Sequence, residues 1–329
     1  MKKQLYFLSV CLFTTSILAQ GQSNEETITY VHEEASFMSR FVQKIIGLTG
    51  IKKMIEKKMK KKDFSQEAAA VPKSLQNNFD VKISEKNGHR YWTLKPKQNI
   101  SDQVIMYMHG GAYILNMSRS HWELIEKLLI KTQATIVVPD YPLAPNSNCL
   151  DAYSFIEALY LELLSTVSPK NIILMGDSAG GGLALGFAQK LRNDNQSPPS
   201  QIILISPWLD ITMSNPAIIE VDKKDKILGI KGLQMAGESY AGDIDTKDFK
   251  VSPIYGDFSG LGKISMFIGT NDLFIADTRK LKNLLAQKNI PVNYFEYPKM
   301  FHVWVIVTGL KESKHAINQM ASLIKNEAL

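Results

Sequence analysis

The stretch that decides the fold is LMGDSAGGGLAL, residues 174–185. An apolar run comes before its centre and a run of small residues after it, which predicts a strand that turns directly into a helix. The central GDSAG fits the pattern G-x-S-x-G, in which a strained turn holds the serine hydroxyl above the edge of a sheet. Ser178 is therefore a candidate nucleophile at a helix N-terminus, where negative charge is favoured. The alternative is a glycine-rich turn with an incidental serine.

Apolar runs alternate with helical patterns on both sides of this turn, and a hairpin signal at Asn87-Gly88 precedes them. Strands that are buried on both faces and separated by helices form mostly parallel sheets. The predicted fold class is therefore α/β, with helices on both faces of a mostly parallel sheet. The predicted strands are at 103–111, 134–141, 171–177, 201–208, 263–272 and 292–298, and the predicted helices at 118–131, 151–164, 179–192, 278–288 and 310–325.

The alternation stops between residues 211 and 250, which are polar, carry glycines and contain no convincing strand. We expect this segment to be an insertion between two core strands. The chain then divides into a leader at 1–19, N-terminal helices within 20–75 and an α/β core at 76–329.

The composition is that of a soluble globular protein, since 45% of the 329 residues are hydrophobic and 21% are charged. The net charge of +6 falls by two if the leader, with Lys2 and Lys3, is removed. That balance does not point to nucleic acid, and we expect no nucleic-acid partner.

The first residues have the pattern of a secretory signal. Lys2 and Lys3 precede an apolar run from Leu5 to Ala19, and Ala19 offers a small residue for cleavage. The run is short for a membrane span, which needs about 20 residues. We expect a secreted or extracytoplasmic protein, and a retained membrane anchor is the alternative. Without the leader, Cys149 remains as a lone cysteine that cannot form an internal disulfide.

Residues 37–62 carry a helical apolar stripe and then a basic run. The stripe extends from Phe37 to Leu48, and seven lysines lie between Lys52 and Lys62. A basic amphipathic helix is typical of weak membrane-surface contact. A solvated helix that packs on the rest of the protein is the alternative.

A serine nucleophile needs a base, and the base needs an orienting carboxylate. In α/β-hydrolases the chain order is serine, then an acid, then histidine. Downstream of Ser178, GTND ends a predicted strand with Asp272, and FHVW follows the last strand with His302. Both lie at carboxyl ends of strands, where open α/β sheets bind ligands. These residues predict a catalytic triad.

An oxyanion hole is expected in the loop HGGAY, residues 109–113, which follows the first parallel strand. Two consecutive glycines let the backbone turn its N–H groups toward a substrate carbonyl oxygen. We predict Gly110, Gly111 and Ala179 as the donors. Loss of one such donor costs a few kcal/mol of transition-state stabilisation, about a hundredfold in rate.

Six motifs in this order resemble the hormone-sensitive-lipase branch of the α/β-hydrolase esterases: HGGAY, DYPLAP, GDSAGG, SPWLD, GTNDLF and FHVW, across residues 109–304. The resemblance implies an α/β-hydrolase fold, with Ser178 as nucleophile, His302 as base and then acid, and Asp272 as its partner. It also implies that the N-terminal helices and residues 211–250 form a helical cap. Two departures concern local packing: Ala112 replaces a usual third glycine, and Pro142 and Asn146 replace a usual arginine and glutamate.

The expected activity is hydrolysis of short to medium acyl esters through an acyl-enzyme, without a cofactor. An amidase or lactonase with the same triad is the alternative, because the leaving group is selected by pocket walls. A non-catalytic ligand receptor is a further alternative, against which the retained His302 argues.

Several reactive residue types have plainer interpretations. Asp177 is expected to form structural hydrogen bonds, and His109 to brace the oxyanion loop. Asp277 and Arg279 are expected to pair with each other or with neighbouring loops. The remaining histidines lack metal-ligand spacing, so no metal site is expected. Cys149 is not expected to be a nucleophile.

Overall fold

A single mixed sheet organises the protein. The computed structural model describes residues 28–62, 64 and 67–328, and nine strands of these residues form the sheet. The strands are β1 Ile28–Val31, β2 Phe79–Lys86, β3 His89–Pro96, β4 Val104–Met108, β5 Thr135–Pro139, β6 Ile172–Asp177, β7 Gln201–Ile205, β8 Lys263–Gly269 and β9 Val292–Tyr297.

The order across the sheet is β1-β9-β8-β7-β6-β4-β5-β3-β2. The β2–β3 and β3–β5 pairs are antiparallel and all other pairs are parallel. The carboxyl ends of β4, β6, β8 and β9 therefore meet at one edge, where the candidate residues follow them. The mostly parallel sheet predicted from the sequence is confirmed.

The helices cover both faces of the sheet. Helices α5, α6 and α9 pack on one face, with Leu183 and Leu281 in the core, while α4 and α10 pack on the other, with Leu128 and Ile317. The helices are α1 Phe37–Leu48, α2 Met54–Lys61, α3 Lys73–Asn78, α4 Arg119–Thr132, α5 Cys149–Leu164, α6 Ala179–Asn193, α7 Ile218–Asp222, α8 Ile230–Ala241, α9 Ile275–Gln287 and α10 Lys311–Lys325.

Two helices begin earlier than predicted. The Asn148 side chain accepts the N–H of Leu150 and caps α5, which begins at Cys149. Helix α9 begins at Ile275, three residues after the predicted triad aspartate, and the Asp272 side chain accepts the N–H of Phe274, the residue before the helix. Strand β1 was not predicted, because four residues without strong alternation give little signal. It is held by its parallel pairing with β9.

Residues 211–250, called the insertion below, contain α7 and α8 and no strand, as predicted. Helix α2 packs against α8, where Gly232 lets Ile55 and the backbone of Glu56 approach closely. Lys52 forms an ion pair of 2.9 Å with Asp222 at the end of α7. The basic run therefore packs on the insertion while most of its lysines face solvent.

The predicted leader at 1–19 lies outside the described residues. Within the described part of the chain, no helix combines the length and the apolar character needed to cross a bilayer.

Candidate active site

Ser178 lies in a strained turn between β6 and α6. Its φ is +52° and its ψ is −120°, a backbone conformation that costs a non-glycine residue of order 1–3 kcal/mol. Two neighbouring backbone groups hold the turn: the N–H of Ser178 donates to Ile205 at 2.9 Å, and the carbonyl of Ser178 accepts from Trp208 at 2.9 Å. The surrounding backbone therefore fixes the serine in the conformation that the motif predicts.

The flanking glycines are required by close backbone contact. A Cβ on Gly180 would lie 2.1 Å from the carbonyl oxygen of Met108, and one on Gly176 would lie 2.3 Å from the carbonyl oxygen of Gly180. Both contacts are to backbone, which cannot move aside as a side chain can. The small residues thus let α6 start directly against β4 and β6.

The three predicted triad residues converge. His302 Nε2 lies 2.9 Å from Ser178 Oγ, and His302 Nδ1 lies 3.0 Å from Asp272 Oδ2. The exposed fraction is 6% for Ser178, 8% for His302 and zero for Asp272. Residues separated by as many as 124 positions in the chain thus form one hydrogen-bonded line.

Nearby carboxylates raise the pKa of His302 against the effect of burial. Burial by itself lowers this pKa, but the charge and hydrogen bond of Asp272, together with the charges of Asp225 and Asp177, outweigh it, so the pKa is raised above the usual 6.5. The Phe274 ring meets the His302 ring edge-on, with centroids 5.1 Å apart, and limits how the imidazole can turn. Asp272 and Phe274 therefore fix the orientation of the His302 ring from two sides.

Asp225, in the insertion, is a site residue that sequence reasoning missed. Its Oδ2 accepts the N–H of Leu273 at 2.7 Å, and its Oδ1 accepts the N–H groups of Ile227 and Leu228. Burial, and then the charge of Asp272, raise the pKa of Asp225. It ties the insertion to the loop that carries Asp272. The local sequence KKDKIL does not indicate this role, because it is indistinguishable from a charged segment that faces solvent.

Asp177 connects the serine turn to the predicted oxyanion loop. Its Oδ1 accepts the Tyr107 hydroxyl at 2.6 Å and the N–H of Gly110 at 2.9 Å, and its Oδ2 lies 3.4 Å from His121 Nε2. Burial raises the pKa of Asp177, but the charge of His121 and these hydrogen bonds outweigh it, and the pKa is lowered. The structural role predicted for Asp177 is confirmed.

The prediction that Gly110 is an oxyanion donor is wrong. Its N–H is used by the Asp177 carboxylate, a stronger acceptor than a neutral carbonyl oxygen. Among the described residues, the N–H groups of Gly111, Ala112 and Ala179 donate to no protein acceptor. Gly111 and Ala112 have φ values of +132° and +53°, so the chain turns sharply there. Ala112 is thus a candidate donor that was not predicted from the sequence.

His109 braces the loop at 109–113 as expected, and Cys149 lies in surroundings that disfavour a nucleophile. His109 Nδ1 lies 2.7 Å from the carbonyl oxygen of Gly110, and its ring stacks on Tyr141 with centroids 4.5 Å apart. Burial, and next the charge of His121, lower the pKa of His109 to about 4, so it stays neutral. Burial raises the pKa of Cys149 to about 11, which disfavours the nucleophilic thiolate.

The expected pairing of Asp277 with Arg279 is wrong, whereas contacts with neighbouring segments are present. Arg279 forms a bidentate ion pair with Glu296 on β9, and Asp277 accepts a hydrogen bond of 2.8 Å from Asn215. Asp277 is buried and Arg279 is half exposed, so the two point to different surroundings. Among the residues described, no three His, Cys, Asp or Glu side chains are placed to hold a metal ion together.

Known protein sequences and structures resemble this chain. The sequence pattern of the α/β-hydrolase fold family matches residues 105–306. An esterase of Acinetobacter venetianus is 32% identical over 232 residues, which cover 68% of this chain and 75% of that protein. An acetyl-hydrolase of Streptomyces hygroscopicus is 30% identical over 65% of this chain and 71% of its own length.

Solved structures share the fold. The hormone-sensitive-lipase homologue EstE7 from a metagenome library superposes with a TM-score of 0.75 at 24% identity, over 88% of this chain and 98% of EstE7. An esterase/lipase from an uncultured bacterium gives a TM-score of 0.76 at 23% identity, over 89% and 99%. With the motifs, the converging site and these relatives together, the chain belongs to the α/β-hydrolase family, in its hormone-sensitive-lipase-like branch, and is a hydrolase of the esterase and lipase type.

Proposed function

We propose that the protein is a serine carboxylic-ester hydrolase that works through an acyl-enzyme at Ser178. The observation that carries the proposal is the hydrogen-bonded line from Ser178 Oγ through His302 to Asp272, with distances of 2.9 and 3.0 Å. Both distances lie within the range in which a general base can take a proton.

In the first half of the reaction, His302 Nε2 takes the hydroxyl proton of Ser178 as the oxygen attacks the ester carbonyl carbon. Asp272 accepts the Nδ1 hydrogen of the imidazole and stabilises the imidazolium that forms. His302 then gives the proton to the leaving alkoxide, and the acyl group stays on Ser178. In the second half, His302 activates a water in the same way, and the acid is released.

The oxyanion of each tetrahedral intermediate is assigned to the N–H groups of Gly111, Ala112 and Ala179. This assignment is supported because these N–H groups lie beside the serine turn and donate to no protein acceptor, whereas the N–H of Gly110 donates to Asp177. Ala179 is the first residue of α6, so its N–H also carries the positive end of the helix dipole.

The substrate class proposed is short to medium acyl esters. An aromatic wall supports this: Trp208 stacks on Phe274 and on Tyr113, with centroids 5.8 and 5.6 Å apart, beside Ser178 and His302. These rings are fully buried and make the surroundings of the triad apolar on this side. The insertion and the N-terminal helices would form the cap over this site, tied to it by Asp225 and Leu273.

A kinetic panel tests the proposal. Hydrolysis of p-nitrophenyl esters with acyl chains from two to sixteen carbons should favour the short and medium members. Ser178→Ala should lose activity by at least about a thousandfold. Ser265→Ala is the control, because this buried serine in β8 contacts Asn293 and lies outside the triad. Near wild-type activity of Ser178→Ala, or turnover of anilides or lactones in preference to esters, would overturn the proposal.

A further inference from the structure

Helix α1 presents an apolar face to solvent. Five of its seven large apolar side chains fall within an arc of about 100° at 3.6 residues per turn. Their exposed fractions are high: Phe37 75%, Met38 57%, Phe41 50%, Ile45 47% and Leu48 77%. The Phe37 and Phe41 rings stack on each other, with centroids 6.4 Å apart. A contiguous exposed patch of this kind marks an interaction surface.

The opposite face of α1 already has its partners. Val42 and Ile46 pack against the core. The Ser39 hydroxyl donates to Glu312 on α10 at 2.6 Å, and the N–H of Ser36 also donates to Glu312. The helix is therefore anchored by one side. The five exposed residues are therefore not needed to pack α1 on the core, because other residues of the helix already do so.

The charge around this face is strongly positive. Residues 37–62 contain nine lysines or arginines and one acidic residue, a net +8, while the whole chain has +6. Arg40 and Lys44 border the apolar arc on α1 itself. The acid of this segment, Glu56, is already paired with Lys60 at 2.6 Å. Basic residues beside an apolar helix face are complementary to an anionic lipid surface.

Two basic grooves begin at the C-terminal end of α1. One, of about 620 Å³, contains Leu48 and is lined by five cationic side chains: Arg40, Lys44, Lys223, Lys224 and Lys226. The other, of about 480 Å³, runs from Thr49 past Ile51 and Met54 and is lined by lysines of α2 at 57, 58 and 61. Glu220 near the first groove is paired with Lys223. Both grooves combine apolar surface with basic side chains, and both are large enough to hold a phosphate headgroup.

We propose that α1 and α2 dock the protein on the surface of an anionic phospholipid bilayer. The face Phe37, Met38, Phe41, Ile45 and Leu48 enters the boundary between headgroups and acyl chains, and the lysines and arginines beside it contact lipid phosphates. The surface adjoins the catalytic loop, because Asn271 donates to Gln43 on α1 at 3.2 Å. The docking does not depend on the proposed ester hydrolysis, since no triad residue belongs to this surface.

Vesicle sedimentation of the full chain tests the docking. We expect binding to phosphatidylglycerol vesicles, much weaker binding to phosphatidylcholine vesicles, and a loss of binding as salt is raised. The triple variant Phe37→Ser, Phe41→Ser, Leu48→Ser should lower the partition coefficient by about tenfold or more. The matched control is Ile83→Ser, Ile100→Ser, Ile130→Ser, which removes three apolar side chains that are each more than half exposed elsewhere, and it should bind like the wild type.

Bromolipid quenching gives a second readout on the same surface. The four native tryptophans are buried, so a tryptophan introduced by Phe41→Trp reports its own surroundings. We expect this added fluorescence to be quenched by brominated anionic vesicles, and that of Ile83→Trp to be unaffected.

Wild-type binding by the triple serine variant, or an unquenched Phe41→Trp, would overturn the proposal. A third outcome would also overturn it: the wild type binds no vesicles but self-associates, and the triple serine variant does not self-associate. That result would assign the face to a second copy of the chain. Ser178→Ala should bind vesicles normally, so that failure of docking and failure of catalysis are distinguishable.

Discussion

The Tyr107 hydroxyl donates a hydrogen bond of 2.6 Å to Asp177, the residue next to Ser178 in the strained turn. Both side chains are buried, and the same carboxylate oxygen also accepts the N–H of Gly110. The carboxylate thereby holds the serine turn and the loop at 109–113 in one arrangement. Asp177 supports the site without facing the substrate.

Tyr107→Phe should lower the free energy of unfolding by about 1.5–3 kcal/mol, because a buried carboxylate loses a hydrogen bond. Urea unfolding measures the change. Tyr113→Phe is the matched control: this tyrosine is also buried, but within the described residues its hydroxyl has no hydrogen-bond partner. Its removal should be neutral or stabilising. Equal losses in the two variants would contradict the role given to the Tyr107 hydroxyl.

The pH dependence of kcat/KM should follow His302. The base must be neutral, and its pKa in the folded protein is raised above 6.5, so activity should rise with pH through a midpoint above 6.5. A midpoint below 6.5 on a short acyl ester would show that the charges of the nearby carboxylates do not outweigh the burial of the imidazole.

Asp225→Asn should move that midpoint to lower pH. The charges of Asp272, Asp225 and Asp177 all raise the pKa of His302, and the substitution removes one of them. Asp277→Asn is the control, since this buried carboxyl on α9 is not among the carboxylates named above that raise the pKa of His302. The pH profile separates the electrostatic role of Asp225 from a merely structural one, which would lower activity at every pH without moving the midpoint.

Gly180→Ala should destabilise the fold and nearly abolish activity, because the added Cβ would lie 2.1 Å from the backbone oxygen of Met108. Gly47→Ala, in α1, should instead stabilise by up to about 1 kcal/mol. There the nearest atoms belong to the flexible Lys226 side chain at 3.4 Å. Thermal unfolding of the pair measures both effects, and a stabilised Gly180→Ala would contradict the close contact between α6 and β4.

The parts predicted well from sequence are those that local chemistry determines. The parallel strands are runs of β-branched and apolar residues, and the serine turn has glycines where backbone contact requires them. Asp272 and His302 were found because strand ends in a parallel sheet meet at one edge, so position along the chain predicted proximity in space.

The parts that were missed depend on tertiary contacts. Nothing in HGGAY indicates that the N–H of Gly110 turns toward Asp177 while those of Gly111 and Ala112 stay free. Asp225 joins the Asp272 loop only through folding of the insertion. The apolar spacing of α1 predicted a helix, but which of its two apolar sides faces the core depends on Glu312, which follows some 270 residues later.

The proposed role of Ser178 is that of a nucleophile activated by His302. Intact-protein mass spectrometry after treatment with a fluorophosphonate, followed by peptide mapping, measures this role at the residue itself. We expect one adduct per chain on Ser178, and a labelling rate at least about a hundredfold lower in His302→Asn. An adduct on another residue, or unchanged labelling in Ser178→Ala, would contradict it.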